Sequence, residues 1–375
     1  MATTIFAPPG GGRTYLRDET VDSIDFSPRP DRPRPLRTRT FDDRSTFVGS
    51  LVGSFGLTWI TYTYIVPFSG LVGFFVCWYL TFVLVYVGVT SLSSPRTVVV
   101  DRIVSAVVHA AAALTGLALA WAVAFPFFKG YHALFHMNFL TQDQHGVGPQ
   151  DAYSHGGVLH AIVGTLIEIV FAVGVALPLG VGAAVFMSEV GGRLAWLVRT
   201  VVEAMTALPS IVAGLFIYTV LIVDLHFPKT GFTASMALAV MILPIIARAS
   251  DVVLRVVPSG LREASLALGA SRWQTVWRVV LPTVRPGLAT ALILGVARGV
   301  GETSPVLLTS GASTFMNTNP FNQPMNSLPL YTYTAVRSGE PRFIERGFAS
   351  AAVLLTLVLA LFVIARVLAR QKVRA

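Results

Sequence analysis

Arg298 and Glu302 lie four residues apart in an apolar stretch, and their side chains suit the handling of anions. Positions four apart share one face of a helix, so the two side chains can form an ion pair. A guanidinium group presents a planar fork of donors that matches an oxyanion, and it does not lose its charge. Glu302 would hold Arg298 until an anion arrives, or would accept a proton from a protonated oxyanion. The alternative is a structural pair that only fixes helix packing.

The stretch around Arg298 is predicted to be a membrane-spanning helix over residues 286–310. Arg298 then lies about 12 residues, or roughly 18 Å, past the start of the helix, near the middle of a bilayer. A charge at that depth costs from about 3 to more than 10 kcal/mol, so it should face a partner or a water-filled path. Gly295 and Gly299 form a face of small residues that permits close approach of another helix, and Pro305 is expected to kink or end the helix.

Two further charged residues, Arg248 and Glu168, are predicted to lie at the end of one span and inside another. Arg248 either extends to the cytoplasmic interface along its apolar stem or lies on an anion path. Glu168 pairs with an arginine, faces a subunit interface or takes part in transport, and its local sequence matches no motif. These alternatives stay open at the level of the sequence.

The composition places these charges in a membrane protein. Of the 375 residues, 54% are hydrophobic and 13% are charged, whereas soluble domains carry roughly 25% charged residues. The mean hydropathy of +0.67 excludes a soluble globular enzyme and a disordered chain. The lone Cys77 excludes a disulfide framework and a cysteine-based metal cluster.

Eight membrane-spanning helices are predicted, since eight apolar runs approach the length of about 20 residues that a bilayer requires. Their ranges are 48–67, 70–90, 103–125, 157–187, 208–225, 232–250, 286–310 and 347–366. Residues 1–46 are predicted to be a disordered cytoplasmic tail, either dispensable or in contact with anionic lipid headgroups or a partner. Of the 28 Lys and Arg residues, 21 fall on one side, so the positive-inside rule places both termini in the cytoplasm. This distribution explains the net charge of +9 without a nucleic-acid partner.

Residues 251–285 are predicted to be a cytoplasmic segment with two short amphipathic helices separated by a bend. Ser259 is expected to cap the first helix, and Gly269 is expected to end it. Ser271 and Gln274 form a capping-box pattern that starts the second helix. The segment therefore has the character of a bent helical unit along the membrane surface.

The spacing within this segment resembles the "EAA" loop of ABC importer permeases. The matching residues are Glu263, Ala264, Ser265, Gly269, Val279, Leu281 and Pro282, of which Ser265 and Val279 are conservative departures. The resemblance implies a coupling helix that docks into a cleft of an ATP-binding subunit. No Gly-x-x-x-x-Gly-Lys-Ser/Thr loop occurs in the sequence, so ATP and Mg²⁺ are expected on that partner and no cofactor is expected in this chain.

A second resemblance is to phosphate-specific permeases of the PstA and PstC type, and it is closer to the A-type subunit. It rests on residues 297–305 and 208–219 and extends from about residue 103 to the C-terminus. It implies an all-α integral membrane protein with a type I ABC importer permease core of six helices over residues 96–375. Two extra N-terminal spans over residues 47–95 lie outside the family pattern, and their role stays open.

The same resemblance implies a subunit of a phosphate importer in the bacterial cytoplasmic membrane. Arg298, Glu302 and Arg248 would line the phosphate path, and proton acceptance by Glu302 would favour phosphate over fully ionised sulfate. The expected partners are a second, PstC-like permease, a PstB-like ATPase dimer, a PstS-like extracytoplasmic phosphate-binding protein and membrane lipid. The chain itself is expected to catalyse no covalent chemistry.

Two other functions remain open. One is a permease of the same architecture for another oxyanion or a small solute. The other is an ion-coupled secondary transporter that uses Glu302 and Glu168 as proton relays without an ATPase. The outer loops do not discriminate: loop 311–345 is a candidate docking face for an external binding protein, and no metal site is expected in loop 126–156. That loop contains four histidines without ligand-like spacing, namely His132, His136, His145 and His155.

Overall fold

The computed structural model of the protein describes residues 41–65 and 70–369. These residues form helices joined by short connections, and they contain no β-strand apart from an isolated bridge between Gly311 and Met325. The prediction of an all-α protein is confirmed. The predicted tail lies outside the described residues except for residues 41–46, which form the first turns of helix α1 (Phe41–Ile60).

The first compact unit of the chain ends at Ala113. It contains α1, which continues into a π-helical turn (Thr61–Ile65), then α2 (Leu71–Ser93) and the beginning of α3 (Arg96–Leu134). The boundary between the two compact units falls inside α3. The start of the permease core at residue 96 stays a prediction.

Aromatic contacts hold α1 against α2 and show that the two helices are antiparallel. The ring pairs are Phe47 with Tyr86, Phe55 with Trp78, and Trp59 with Phe74. Small polar residues one turn apart on α1, namely Ser50, Ser54 and Thr58, are buried. Side chains of this size let two helices approach closely inside a membrane.

Five helices of the described residues are long and apolar enough to cross a membrane, and up to seven spans result if each of two bent pairs counts as one. The five are Leu71–Leu92, Arg96–Leu134, Leu159–Val190, Gly231–Arg255 and Pro341–Val367. The bent pairs are Gly192–Thr206 with Ser210–Asp224, and Arg272–Thr283 with Arg285–Val300. The sequence predicted about eight spans. The difference lies in α1, where glycine, serine and threonine dilute the apolar residues.

The second compact unit begins at Leu114 and contains the remaining helices. They are α4 (Asn138–Thr141), α5 (Leu159–Val185), α6 (Gly192–Thr206), α7 (Ser210–Ile217), α8 (Gly231–Arg255), α9 (Ser259–Ala267), α10 (Arg272–Thr275), α11 (Leu281–Thr283), α12 (Arg285–Val300), α13 (Ser304–Thr309), α14 (Leu328–Val336) and α15 (Pro341–Ala369). Three of them continue into π-helical turns, α5 into Phe186–Val190, α7 into Tyr218–Asp224 and α10 into Val276–Val280.

Helices α5, α8 and α12 contribute to the main core of this unit, in which Ile242 and Ile246 of α8 are fully buried. A Cβ atom on Gly295 would lie 2.8 Å from a side-chain atom of Ile246, and one on Gly299 would lie 2.4 Å from Ile242. The prediction that these two glycines permit close approach of another helix is confirmed, and that helix is α8.

The seventh predicted span consists of two helices. α12 ends at Val300, and α13 begins at Ser304 with Pro305 in its first turn, where a missing N–H donor costs nothing. The regular helix therefore ends before Pro305. Two further boundaries differ from the prediction: α3 extends beyond residues 103–125 on both sides, and α14 lies within the segment predicted to be a loop.

Candidate functional site

The predicted ion pair is present where α12 ends. Arg298 Nε lies 3.0 Å from Glu302 Oε1, and the side chains are 59% and 10% exposed, respectively. Arg298 belongs to the last turn of α12, and the N–H group of Glu302 donates to the carbonyl of Gly299 at 3.2 Å. This turn points the carboxylate back toward the guanidinium. Among the described residues, Nη1 and Nη2 of Arg298 make no hydrogen bond or ion pair.

Arg248 is exposed on α8, and the structure does not join it to the pair. The close contacts of Gly295 with Ile246 and of Gly299 with Ile242 place Arg248 level with residues near 293 of α12. Arg298 is then about 7 Å further along the helix axis. Within the described part of the chain, Arg248 has no ion pair, so its side chain is available to solvent, lipid or a solute.

Glu168 of α5 is buried, with 1% of its surface exposed. Ser310, which directly follows α13, lies 3.3 Å from Glu168 Oε1 and also contacts the backbone carbonyl of Met325. No ion pair joins Glu168 to a cation among the described residues, so the alternative of pairing with an arginine is not realised there. The alternative of a subunit interface also fails, because the carboxyl group lies inside the unit.

The Ser310 hydroxyl is the donor in both contacts, to Glu168 Oε1 and to the Met325 carbonyl. A hydroxyl has one hydrogen, so the two acceptors share a single donor. Ser310 thereby connects α5 to the segment around Met325. Sequence patterns gave no signal for this contact, since Glu168 and Ser310 are 142 residues apart.

The segment from α9 to α11 (residues 259–283), which we call the elbow, has the predicted bent form. Gly269 has a φ of 82° and follows the end of α9, which confirms its role in ending that helix. The capping box is also confirmed, with Ser271 N–H donating to Gln274 Oε1 at 2.8 Å and Gln274 N–H donating to Ser271 Oγ at 3.3 Å. The predicted cap by Ser259 is wrong: Ser259 is the first residue of α9, and Pro258 precedes it without a side-chain cap.

The residues predicted to dock an ATPase fall into two groups. Glu263, Ala264 and Gly269 are exposed on the elbow. Ser265 is half-buried and its Oγ lies 2.9 Å from Thr275 Oγ1, which ties α9 to α10. Leu281 and Pro282 are also half-buried, and they lie just before the 73° bend that leads into α12. The first group presents a surface, and the second positions it.

Buried Arg346 of α15, which local sequence patterns did not single out, holds the loop at residues 142–158. Its Nη2 donates to the carbonyls of Asp151, Ala152 and His155 at 3.3, 2.8 and 2.9 Å. Tyr153 of the same loop donates to Glu345 at 2.7 Å, and burial raises the pKa of Tyr153 to about 12, so this hydroxyl stays protonated at neutral pH. No three His, Cys, Asp or Glu side chains of the described residues gather as metal ligands.

Comparison with known proteins gives consistent matches. The family described as "Binding-protein-dependent transport system inner membrane component" matches residues 176–374, which include the elbow and Arg298. "Phosphate transport system permease protein PstA 1" of Mycobacterium tuberculosis is 37% identical over 241 residues, covering 64% of this chain and 79% of that protein. "Phosphate transport system permease protein PstA" of Haemophilus influenzae is 33% identical over 220 residues, covering 58% and 77%. A solved bacterial ABC transporter involved in import of the polysaccharide alginate aligns with a TM-score of 0.49 and 14% identity, over 73% of this chain and 99% of that chain.

Proposed function

The chain belongs to the family of inner membrane components of binding-protein-dependent transport systems, and from this premise we propose that it is the permease subunit of an ATP-driven phosphate importer. The resemblance to PstA-type permeases inferred from residues 208–219 and 297–305 is confirmed by the two relatives at 37% and 33% identity. The names of those relatives support phosphate as the substrate.

The observation that carries the proposal is the state of the Arg298 guanidinium. Glu302 holds Nε at 3.0 Å, while the fork formed by Nη1 and Nη2 makes no hydrogen bond or ion pair within the described residues. An arginine held in this way can offer two parallel N–H bonds to an oxyanion, the geometry that suits phosphate. Arg248, also exposed, would add positive charge to the same path.

The proposed assembly contains four kinds of subunit. This chain would pair with a second, PstC-like permease, with two copies of a PstB-like ATPase that bind ATP and Mg²⁺, and with a PstS-like extracytoplasmic phosphate-binding protein. The assembly would lie in the bacterial cytoplasmic membrane with both termini of this chain in the cytoplasm. Closure of the ATPases would move the elbow and open the path outward, and hydrolysis would reset it. The chain itself would carry out no covalent chemistry.

ATP-dependent uptake of ³²P-phosphate tests the proposal in vesicles that contain the full complex. We expect Arg298→Gln to lower uptake by at least about a hundredfold, because the charge-assisted bonds to the anion are lost. The matched control is Arg193→Gln, since Arg193 is exposed on α6 and has no ion pair in the described part of the chain. Co-purification of the ATPase verifies that both variants assemble.

The same measurement separates the rival functions. Unchanged uptake in an assembled Arg298→Gln complex would contradict the role of Arg298. Competition by sulfate as strong as by arsenate would favour a permease for a different oxyanion. Uptake by the isolated chain under a proton gradient, without an ATPase, would favour the ion-coupled transporter.

A further inference from the structure

Arg262 of the elbow connects three helix ends, and the established family motif does not include it. Its Nε and Nη2 donate to Glu189 Oε1 at 3.1 and 2.9 Å, and Glu189 lies in the π-helical turn that ends α5. Its Nη1 donates to the Val257 carbonyl at 2.7 Å, and Nη2 donates to the Leu254 carbonyl at 3.0 Å. One guanidinium therefore joins α9 to the C-terminal ends of both α5 and α8.

The position of Arg262 favours a strong interaction. The Arg262 and Glu189 side chains are 24% and 17% exposed, so solvent screens the pair less than it screens a pair on an open surface. The carbonyls of Leu254 and Val257 lie at the C-terminal end of α8, where the helix dipole attracts a cation. Loss of the guanidinium would leave a partly buried carboxylate without its cation and would remove a donor from the Val257 and Leu254 carbonyls, although the Leu254 carbonyl also accepts from the N–H group of Val257.

The elbow around Arg262 is itself tightly connected. The hydroxyl contact between Ser265 and Thr275 ties α9 to α10, and the capping box starts α10 at a fixed point. Val276 and Val280 are buried in a cluster with residues of α5 and α8, among them Ala184 and Leu254. A force on the exposed face of α9 is thus transmitted to the ends of two membrane helices.

We propose that the Arg262–Glu189 pair locks the elbow to α5 and α8, so that a movement which an ATPase imposes on the elbow also moves these two helices. Arg262 is then a positioning residue of the transport cycle, distinct from the exposed Glu263 and Ala264. α8 contains Arg248, and the chain after the elbow leads into α12 with Arg298. This inference rests on the proposed function.

The first experiment measures phosphate imported per ATP hydrolysed by the full complex in proteoliposomes. For Arg262→Met we expect this ratio to fall at least about fivefold while ATP hydrolysis continues, the size of an ordinary coupling free energy. Arg262→Lys retains the positive charge without the planar fork of donors, and its ratio of phosphate imported to ATP hydrolysed should lie between those of wild type and Arg262→Met. Arg193→Met, which removes an exposed arginine near the same helix ends, should leave the ratio unchanged.

An assembled Arg262→Met complex with the wild-type ratio would overturn the inference. If the Arg262→Met complex does not assemble, the Glu189→Gln complex provides the test. Glutamine keeps the size of the Glu189 side chain and an oxygen that accepts from Arg262, but it removes the negative charge. A ratio at least about twofold lower in Glu189→Gln supports the lock, and an unchanged ratio overturns it.

A second experiment does not depend on the substrate. Spin labels are attached at two exposed positions, Leu261 of α9 and Val190 at the end of α5, in a Cys77→Ser background. In the complex that retains Arg262, the distance between the two labels should stay the same when ATP is added. In Arg262→Met, the distribution of distances between the two labels should become broader. A wild-type distance that changes with ATP would overturn the lock. Absence of phosphate uptake by the wild-type complex would instead contradict the proposed function alone.

Discussion

Glu302 and Glu168 are two carboxyl groups of the helical core, and the structure holds them in opposite ways. Glu302 Oε1 lies 3.0 Å from Nε of Arg298 at the C-terminal end of α12. Glu168 is buried against a hydroxyl group, with no cation partner among the described residues. The first arrangement joins two opposite charges on one helix, whereas the second joins a carboxyl group to a hydroxyl group of a distant part of the chain.

The two carboxyl groups both lie in or beside apolar helices, yet their partners differ in charge and in distance along the chain. Arg298 and Glu302 form an ion pair within one helix, and the proposed function has an anion compete with Glu302 for the guanidinium. Glu168 instead contacts Ser310 and so joins α5 to the segments around Ser310 and Met325. Proton relay by both groups, as an ion-coupled transporter requires, finds no support in this arrangement.

Glu302→Gln is expected to lower phosphate uptake more than a substitution of Glu168 or Arg248. The amide keeps the size of the side chain but holds Arg298 without a charge, so the guanidinium is less well oriented. Phosphate uptake should fall about tenfold, the value of one charge-assisted hydrogen bond. Uptake by the full complex in vesicles measures this, and uptake equal to wild type would mean that the pair does not act on the path.

Glu168→Ala should affect stability more than transport. It removes a buried side chain and one hydrogen bond of Ser310, with an expected loss of about 2 kcal/mol in the free energy of unfolding. The melting temperature of the detergent-solubilised complex measures the change. Glu168→Gln is the matched control, because it keeps the size of the side chain and an oxygen that accepts from Ser310. Equal losses in both variants would mean that neither the buried volume nor the hydrogen bond to Ser310 accounts for the stabilisation.

Arg248→Gln should have the smallest effect on uptake. Arg248 touches neither Arg298 nor Glu302, so it contributes only through the electrostatic field along the path. We expect uptake to fall about threefold at low ionic strength and less at high salt. A salt-independent loss as large as that of Arg298→Gln would place Arg248 in direct contact with the anion.

Local patterns in the sequence predicted much of this structure. The pair at positions 298 and 302 and the capping box at Ser271 both depend on residues within one or two helical turns. Such contacts follow from helix geometry alone. The docking of residues 263–282 to an ATPase is implied by their resemblance to the EAA loop of ABC importer permeases, and it stays a prediction.

The contacts that were missed join distant parts of the chain. Arg262 and Glu189 are 73 residues apart. Ser310, the partner of Glu168, follows α13, and the sequence predicted α12 and α13 as a single span. These contacts depend on how helices cross, which a single sequence does not encode in a periodic pattern. The Ser259 cap failed for a different reason: the residue is a good cap by type, but the chain enters the helix one position earlier.

The hydrogen bonds of Arg346 can form only late in the synthesis of the chain. Its guanidinium holds the carbonyls of Asp151, Ala152 and His155, yet it is 191 residues further along the chain than His155. At ordinary rates of translation, roughly 10 to 40 s separate the emergence of that loop from the emergence of the residue that fastens it. Residues 151–155 therefore gain these three hydrogen bonds only after Arg346 of α15 has been synthesised.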